Sequence, residues 1–315
     1  MKYFSDNHRL RLEWTFYGIL AVLVVGCGFE PACPHDGEGP VVVLTFDDGP
    51  LPADVADLAA NAGDPKALLD PFRQILAVLE QEGARAVFFV AGPGSQEAAD
   101  PLAPVYAEAL TAIHDSGHIL GYHAFSHDPD TWLDLLDFPG IVEAKMAVDL
   151  DRLQAFIDKA LAPTGSTQDE IFSPLFRQPY LGGGVLEWLG RYVANERGWV
   201  YRGVDIDSVD WTANADVPSF IESALPVATE QEHVDYVIRR LRDGVSRRGH
   251  REPTDVLFHL NHFTAAHLVE WIDALRAAFA DAGYDKVIFD VPPCYTQHDD
   301  LFLDLSVAAD VLRGL

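Results

Sequence analysis

The sequence predicts an α/β fold built on a parallel sheet, most simply a (β/α) barrel. From Val41 onward, short apolar runs with strand character alternate with longer amphipathic runs that have helical spacing. Parallel strands need a crossover between them, usually a helix, so this alternation favours a parallel sheet. The 315-residue chain is 49% hydrophobic, enough to bury one large core. We therefore expect a single barrel domain over residues 41–315.

The elements can be assigned in order along the chain. The first strand candidate, Val41–Phe46, is β-branched, apolar and followed by a turn. The other predicted strands are Ala86–Val90, Ile119–Gly121, Ser173–Phe176, Trp199–Val204, Asp255–His259 and Lys286–Asp290. The predicted helices are Asp70–Gln81, Pro104–Ser116, Ile141–Leu161, Gly184–Arg197, Val234–Val245 and Ala265–Ala282. Three insertions are expected to form loops: Leu51–Leu69, Gly92–Leu102 and Thr212–Glu232.

The charge balance excludes several classes of partner. The chain has 49 Asp and Glu against 22 Lys and Arg, a formal net charge of −27. A groove for nucleic acid needs clustered Lys and Arg to neutralise phosphates, so nucleic acid is excluded as a partner. An anionic membrane surface would be repelled as well.

The N-terminus has the features of an export signal. Lys2, Arg9 and Arg11 precede the uncharged run Trp14–Gly26, which as a helix would span roughly 20 Å, less than a bilayer core of about 30 Å. Residues 1–26 are therefore predicted to be a signal peptide. Cys27 lies at the end of this run, as in a bacterial lipobox, which predicts a lipid-anchored protein of the cell envelope or periplasm. The alternatives are an ordinary signal peptide or an uncleaved anchor.

Residues 27–40 are rich in Gly, Pro and acidic residues and are predicted to be a tether. The other two cysteines, Cys33 and Cys294, lie near the two ends of the mature chain. In an exported protein such a pair can form a disulfide; two unpaired thiols are the alternative.

Polar clusters follow several predicted strands, where barrels carry their chemistry. Asp47 and Asp48 follow the first strand, and two neighbouring carboxylates suit separate roles in metal binding and base catalysis, although Asp-Gly-Pro is also ordinary turn chemistry. His123 and His127 are four residues apart and can bind one metal ion, or can be a coincidence in a chain with 12 His. Two imidazoles and one carboxylate form a pattern typical of catalytic zinc.

Further candidates follow the later strands. Arg177 can hold a carboxylate, and the Tyr180 N–H after Pro179 can face an oxyanion. Asp205, Asp207 and Asp210 precede Trp211 in a segment that can equally be a solvated loop. His259 ends a strand and can act as a general acid, with Asn261 and His262 as competing candidates.

Taken in order, the motifs TFDDGP, HxxxH, RxPY, DSxDW and VLFH resemble those of the polysaccharide deacetylase family, carbohydrate esterase family 4. The resemblance covers roughly residues 41–291. It implies a distorted, seven-stranded (β/α) barrel that hydrolyses N-acetyl groups, or O-acetyl groups, of an envelope or extracellular polysaccharide.

The resemblance also implies a role for each site residue. The implied ligands of a divalent metal, most commonly zinc, are Asp48, His123 and His127. Asp47 would be the catalytic base, oriented by Arg177, and Tyr180 would supply its N–H to the oxyanion. Asp207 would pair with the acid His259, while Trp211 and Pro179 would line the substrate pocket.

Three residues depart from the usual family pattern: Ala124 in place of Ser or Thr, Gln178 in place of Pro, and Leu260 in place of Asp. Ala124 removes a hydroxyl that normally braces the loop. It therefore favours one alternative function, a carbohydrate-binding envelope lipoprotein with a decayed site. Hydrolysis of a small non-sugar amide is the other alternative.

Overall fold

The computed structural model of the protein describes residues 39–51, 65–132, 139–181, 184–213, 229–248 and 253–297. All of these lie in the compact unit Cys33–Leu315. The predicted signal 1–26, Cys27, Cys33 and most of the tether lie outside the described residues, so the lipid anchor and the Cys33–Cys294 disulfide stay predictions. None of the described helices is both long enough and apolar enough to cross a membrane.

The described part of the chain forms a curled parallel sheet, which confirms the predicted fold class. Its strands are β1 Val41–Gly49, β2 Ala86–Ala91, β3 Ile119–Ala124, β4 Phe172–Phe176, β5 Val200–Tyr201, β6 Ile206–Asp207 and β7 Thr254–His259. Their order is β5-β4-β3-β2-β1-β7-β6, and every pairing is parallel. A short β8, Ile288–Phe289, pairs with the start of β1 outside this path. The two edge strands, β5 and β6, are not paired with each other.

Helices connect and cover the strands. They are α1 Asp70–Glu82, α2 Gln96–Asp115, α3 Pro129–Trp132, α4 Pro139–Leu161, α5 Gln168–Ile171, α6 Gly184–Glu196, α7 Glu230–Arg248 and α8 His262–Asp281. Because helices cover one face and the barrel interior the other, the central strand β2 is apolar throughout, and every one of its residues is buried.

The barrel interior is a separate layer from the core beneath the helices. Its apolar residues are Val43, Val87, Phe89, Leu175, Val200, Val291 and Tyr295. Val291 and Tyr295 come from the C-terminal segment, so this segment closes part of the interior.

The element bounds differ from prediction mainly at two places. Helix α2 begins at Gln96, not Pro104, because the Ser95 side chain accepts a hydrogen bond from Ala98 N–H and caps the helix there. Part of the predicted loop Gly92–Leu102 is therefore helical. The predicted strand Trp199–Val204 is paired only at Val200–Tyr201, and the short β6 was not predicted.

Candidate active site

The two aspartates at the end of β1 are separated by a break in register. The β1–β2 pairing shifts between Phe46 and Gly49, and Asp48 has φ of 64°, in the left-handed region. Asp47 keeps its register opposite His259 on β7. The irregularity therefore turns the two adjacent carboxylates in different directions, as a bulge does near many active sites.

Asp48, His123 and His127 come together at the carboxyl ends of β1 and β3. Asp48 Oδ1 lies 3.2 Å from Nε2 of His123 and 3.2 Å from Nε2 of His127. One ligand atom from each residue lies within 4.8 Å of the other two. The structure thus brings together the three predicted ligands.

The chemistry of these three groups fits a divalent cation. His123 Nδ1 lies 2.7 Å from the Arg177 carbonyl, so this nitrogen carries the proton and Nε2 presents its lone pair to Asp48. Asp48 Oδ1 is buried and has no hydrogen-bond partner among the described residues. Facing acceptor atoms need a cation between them, and two neutral imidazoles with one carboxylate suit zinc.

The electrostatic effects on the three groups differ. Burial favours the neutral form of Asp48, but the nearby His127 and His123 outweigh it and hold its pKa well below the usual range. Burial lowers the pKa of His127. Burial disfavours the charged form of His123 as well, but Asp47 and Asp48 outweigh it and raise the pKa of His123. Imidazoles bind metal in the neutral form, so a bound cation would displace the proton of His123 Nε2.

A buried carboxylate braces the loop between the two histidines. Asp149 of α4 accepts hydrogen bonds from Phe125 N–H at 2.7 Å and from the Ser126 hydroxyl at 2.6 Å. A weaker bond comes from Ser126 N–H at 3.2 Å. Ser126, two residues after Ala124, therefore contributes a hydroxyl to the hydrogen bonds that brace this loop.

Tyr180 holds the other side of this loop. Its hydroxyl donates to the His127 carbonyl at 2.8 Å, and its ring centroid lies 4.4 Å from that of His127. Its φ is 58°, and its side chain remains 41% exposed. Pro179 is buried at the start of the same 3₁₀ turn, Pro179–Leu181. The structure places Tyr180 beside the candidate ligand His127, while the oxyanion role of the Tyr180 N–H and the pocket-lining role of Pro179 stay predictions.

Arg177 holds Asp47, as the resemblance implies. Its Nη1 donates to Asp47 Oδ1 at 3.0 Å and to Thr45 Oγ1 at 2.5 Å. Its Nη2 donates to the Gly203 carbonyl at 2.9 Å and its Nε to the Arg202 carbonyl at 3.3 Å. The guanidinium is buried, so its charge acts on Asp47 with little screening by solvent.

The predicted partner of His259 was wrong. His259 Nδ1 lies 2.8 Å from Oδ1 of Asp210, and its backbone N–H donates to Asp210 Oδ2 at 2.7 Å. The Asp207 carboxylate instead accepts from Val209 N–H at 2.8 Å. Both aspartates belong to the same motif, and the left-handed Val209, with φ of 58°, turns the chain so that the second one faces β7.

Asp210 is itself held in place by two hydroxyl groups. Ser208 Oγ donates to its Oδ1 at 2.9 Å, and Thr264 Oγ1 donates to its Oδ2. Asn261 accepts from Thr264 N–H and caps α8, so it serves the helix rather than the acid position. Trp211 is half-buried in the turn after Asp210, and its contact with substrate stays a prediction.

Sequence reasoning missed Asp149 and Thr264. A signal existed for Asp149, which lies among the buried apolar residues Met146, Leu150 and Leu153 on one face of α4. A carboxylate on an apolar helical face needs a buried partner. No comparable pattern marks Thr264.

Comparisons with known proteins find similarity in both sequence and fold. Residues 35–182 match the family model for polysaccharide deacetylase. No curated protein matches the chain.

Solved structures share the fold. An esterase of carbohydrate esterase family 4 from Streptococcus mutans superposes with a TM-score of 0.51 at 20% identity, over 80% of this chain and 86% of its own. A family 4 carbohydrate esterase from Streptomyces lividans, in complex with acetate, has a TM-score of 0.47 at 21% identity, over 80% and 92%. A family 4 pseudoenzyme from Bacillus anthracis has a TM-score of 0.45 at 17% identity, over 79% and 63%.

The matched segment contains the paired aspartates, both histidines and Arg177. Residues 35–182 are thus similar to the polysaccharide deacetylase family, and the described part of the chain shares the fold of a family 4 esterase.

Proposed function

We propose that this protein is a metal-dependent hydrolase that removes N-acetyl groups, or O-acetyl groups, from a cell-envelope or extracellular polysaccharide. One observation carries the proposal. Asp47 and His259, a base and an acid candidate, lie opposite each other in register on β1 and β7, next to the three-ligand cluster. Acyl transfer needs a proton acceptor and a proton donor at one reacting carbonyl.

Asp48, His123 and His127 would hold the metal, which zinc suits best. When bound, the ion would supply a water of lowered pKa and would polarise the acetyl carbonyl. Asp47 would accept the proton of the attacking water while Arg177 holds its carboxylate in place. The Tyr180 N–H would stabilise the negative charge that develops on the carbonyl oxygen.

His259 would donate a proton to the departing amine. Burial disfavours its charged form, but the buried Asp210 carboxylate, with smaller effects of Asp48 and Asp47, raises the pKa of His259 to about 10. The imidazole is therefore protonated and able to act as an acid at neutral pH. Acetate and a free amino sugar would result.

The basic n-region, the short apolar run and Cys27 support export and lipid anchoring at the cell envelope. Replacing Cys27 with Ser should release the protein from the membrane fraction. A C27S protein that still sediments with membranes would contradict the lipid anchor.

The decisive experiment measures metal content and acetate release together. Purified protein is assayed on chitin oligomers, peptidoglycan and acetylxylan, before and after chelation. Stoichiometric zinc and zinc-restored acetate release are expected, and Asp48→Asn should lose both. Bound metal without acetate from any substrate would favour a catalytically decayed carbohydrate-binding protein.

A further inference from the structure

Arg177 lies between the carboxylates of Asp47 and Asp255, and the proposed chemistry uses only Asp47. Its Nη1 is 3.0 Å from Asp47 Oδ1, and its Nη2 is 3.7 Å from Asp255 Oδ1. The guanidinium is a rigid planar fork, so a group that fixes Nη2 also fixes the direction of Nη1.

Asp255 belongs to the barrel interior, a position that usually holds an apolar residue. It lies on β7 opposite Val43 and four residues before His259, so both side chains project to the same face of the strand. Four ionisable groups surround its carboxylate: Arg177, Tyr295, Asp205 and Arg202. Burial is the largest influence and, against the attraction of Arg177, raises the pKa of Asp255 to about 7.

Tyr295 reaches Asp255 from the C-terminal turn Pro293–Thr296. Its hydroxyl donates to Asp255 Oδ1 at 2.5 Å. Burial raises the pKa of Tyr295 well above its ordinary value, so the hydroxyl stays protonated and remains a donor. The Tyr295 carbonyl accepts from Arg202, whose guanidinium lies 4.4 Å from the centre of the tyrosine ring.

We propose that Asp255 and Tyr295 are positioning residues for Arg177 and, through it, for Asp47. The C-terminal turn is then part of the framework of the active site, although it is remote from the metal ligands in sequence. This inference rests on the proposed function, because it gives Asp47 the role of base. Asp255 also competes with Asp47 for the single positive charge of Arg177.

The test compares Asp255→Asn and Tyr295→Phe with the wild-type protein and with Asp290→Asn. Asp290 is a matched control, because its carboxylate is 46% exposed in the same C-terminal segment and pairs with Arg85 rather than Arg177. The substrate is the N-acetylated oligosaccharide that the wild type hydrolyses fastest. Each variant is assayed for kcat, KM, zinc content and melting temperature.

We expect kcat to fall roughly 10-fold in both variants, with KM and zinc content unchanged, because supporting residues of this kind act on geometry. The variant that combines both substitutions should have a kcat no lower than that of either single variant, because the two residues act as one unit. A purely structural role would lower only the melting temperature.

Variants that match Asp290→Asn in kcat would overturn the inference, while acetate release by the wild type upholds the proposed function. If the wild type releases no acetate, crystal structures of the two variants decide. The inference predicts that the Arg177 guanidinium moves away from Asp47 in both structures. An unmoved Arg177 would overturn it.

Discussion

His259 lies against the buried carboxylate of Asp210, the neighbouring group that most strongly favours its protonation. Replacing Asp210 with Asn keeps the shape of the side chain and removes this charge. The basic limb of the pH profile should then move to lower pH by roughly 2 units, with kcat at neutral pH about 10–100-fold lower. A pH series of kcat/KM measures both effects.

Asp207→Asn is the matched control, since its carboxylate bonds Val209 N–H and not His259. It should leave the basic limb close to that of the wild type. An equal shift in the two variants would contradict the assignment of Asp210.

Asp47 provides a second test at this scale. Asp47→Asn removes the proposed base and leaves Asp48, His123 and His127 in place. Zinc content should stay stoichiometric while turnover falls by about 10²–10⁴-fold. A near wild-type rate in Asp47→Asn would show that another group accepts the proton.

Single residues were predictable where a motif fixes both identity and position, as for Asp48, His123, His127 and Arg177. The choice between Asp207 and Asp210 was not, because it depends on the left-handed backbone at Val209. Val rarely adopts this conformation, so its identity gives no indication of the turn.

At the scale of elements, α4 stabilises the loop that carries His127. Asp149→Asn would weaken three hydrogen bonds to Phe125 and Ser126, so the loop would hold His127 less firmly. Zinc affinity should fall roughly 10–100-fold, as for other supporting residues of metal sites. Competition with a chelator measures this affinity without an assay of turnover.

Ser126→Ala tests how much the hydroxyl bond to Asp149 contributes to zinc affinity. It removes this hydroxyl and keeps the two bonds from the backbone N–H groups of Phe125 and Ser126. It should cost less affinity than Asp149→Asn. Equal zinc affinity in the wild type and Asp149→Asn would contradict the bracing role.

The junction of α2 and β3 contains a different titratable group. His118 Nδ1 accepts a hydrogen bond from Ala86 N–H, and burial, with a smaller effect of the Arg85 charge, lowers the pKa of His118 to about 4. The His118 imidazole therefore binds a proton more weakly in the folded protein than in the unfolded chain. As pH falls from about 6.5 to 4, the free energy of unfolding should fall by roughly 2–3 kcal/mol because of His118.

His118→Asn keeps an acceptor for Ala86 N–H and does not titrate. Denaturant unfolding of the metal-free protein at pH 7 and at pH 4.5 should show a smaller loss of stability for the variant. An equal loss of stability in the wild type and the variant would show that His118 does not cause the acid sensitivity.

Element positions were more predictable than their bounds. Apolar periodicity indicated every described strand except β6, which has only two residues and follows from pairing with β7. The start of α2 was missed because Pro101 and Pro104 lie inside the helix. Both prolines lie beyond the first turn, where proline disfavours a helix, so the sequence predicts a later start. The Ser95 cap determines the observed start at Gln96.

At the scale of the whole molecule, the net charge of −27 should govern which polymers approach. For an anionic polymer, kcat/KM should rise several-fold between about 50 and 500 mM salt, because salt screens the repulsion. Neutral chitin oligomers should show little change. A salt series on both substrates tests this, and equal responses would exclude long-range charge as the cause.

The parallel strands end with β5 and β6 unpaired to each other, and residues 202–205 cross between them. A closed sheet would engage backbone carbonyls in this region with a neighbouring strand. Here the carbonyls of Arg202 and Gly203 accept hydrogen bonds from Arg177 instead. The open edge between β5 and β6 therefore binds a cation, and that cation is the guanidinium of Arg177. Engineering that closed the barrel for added stability would therefore displace Arg177 from the position in which it holds Asp47.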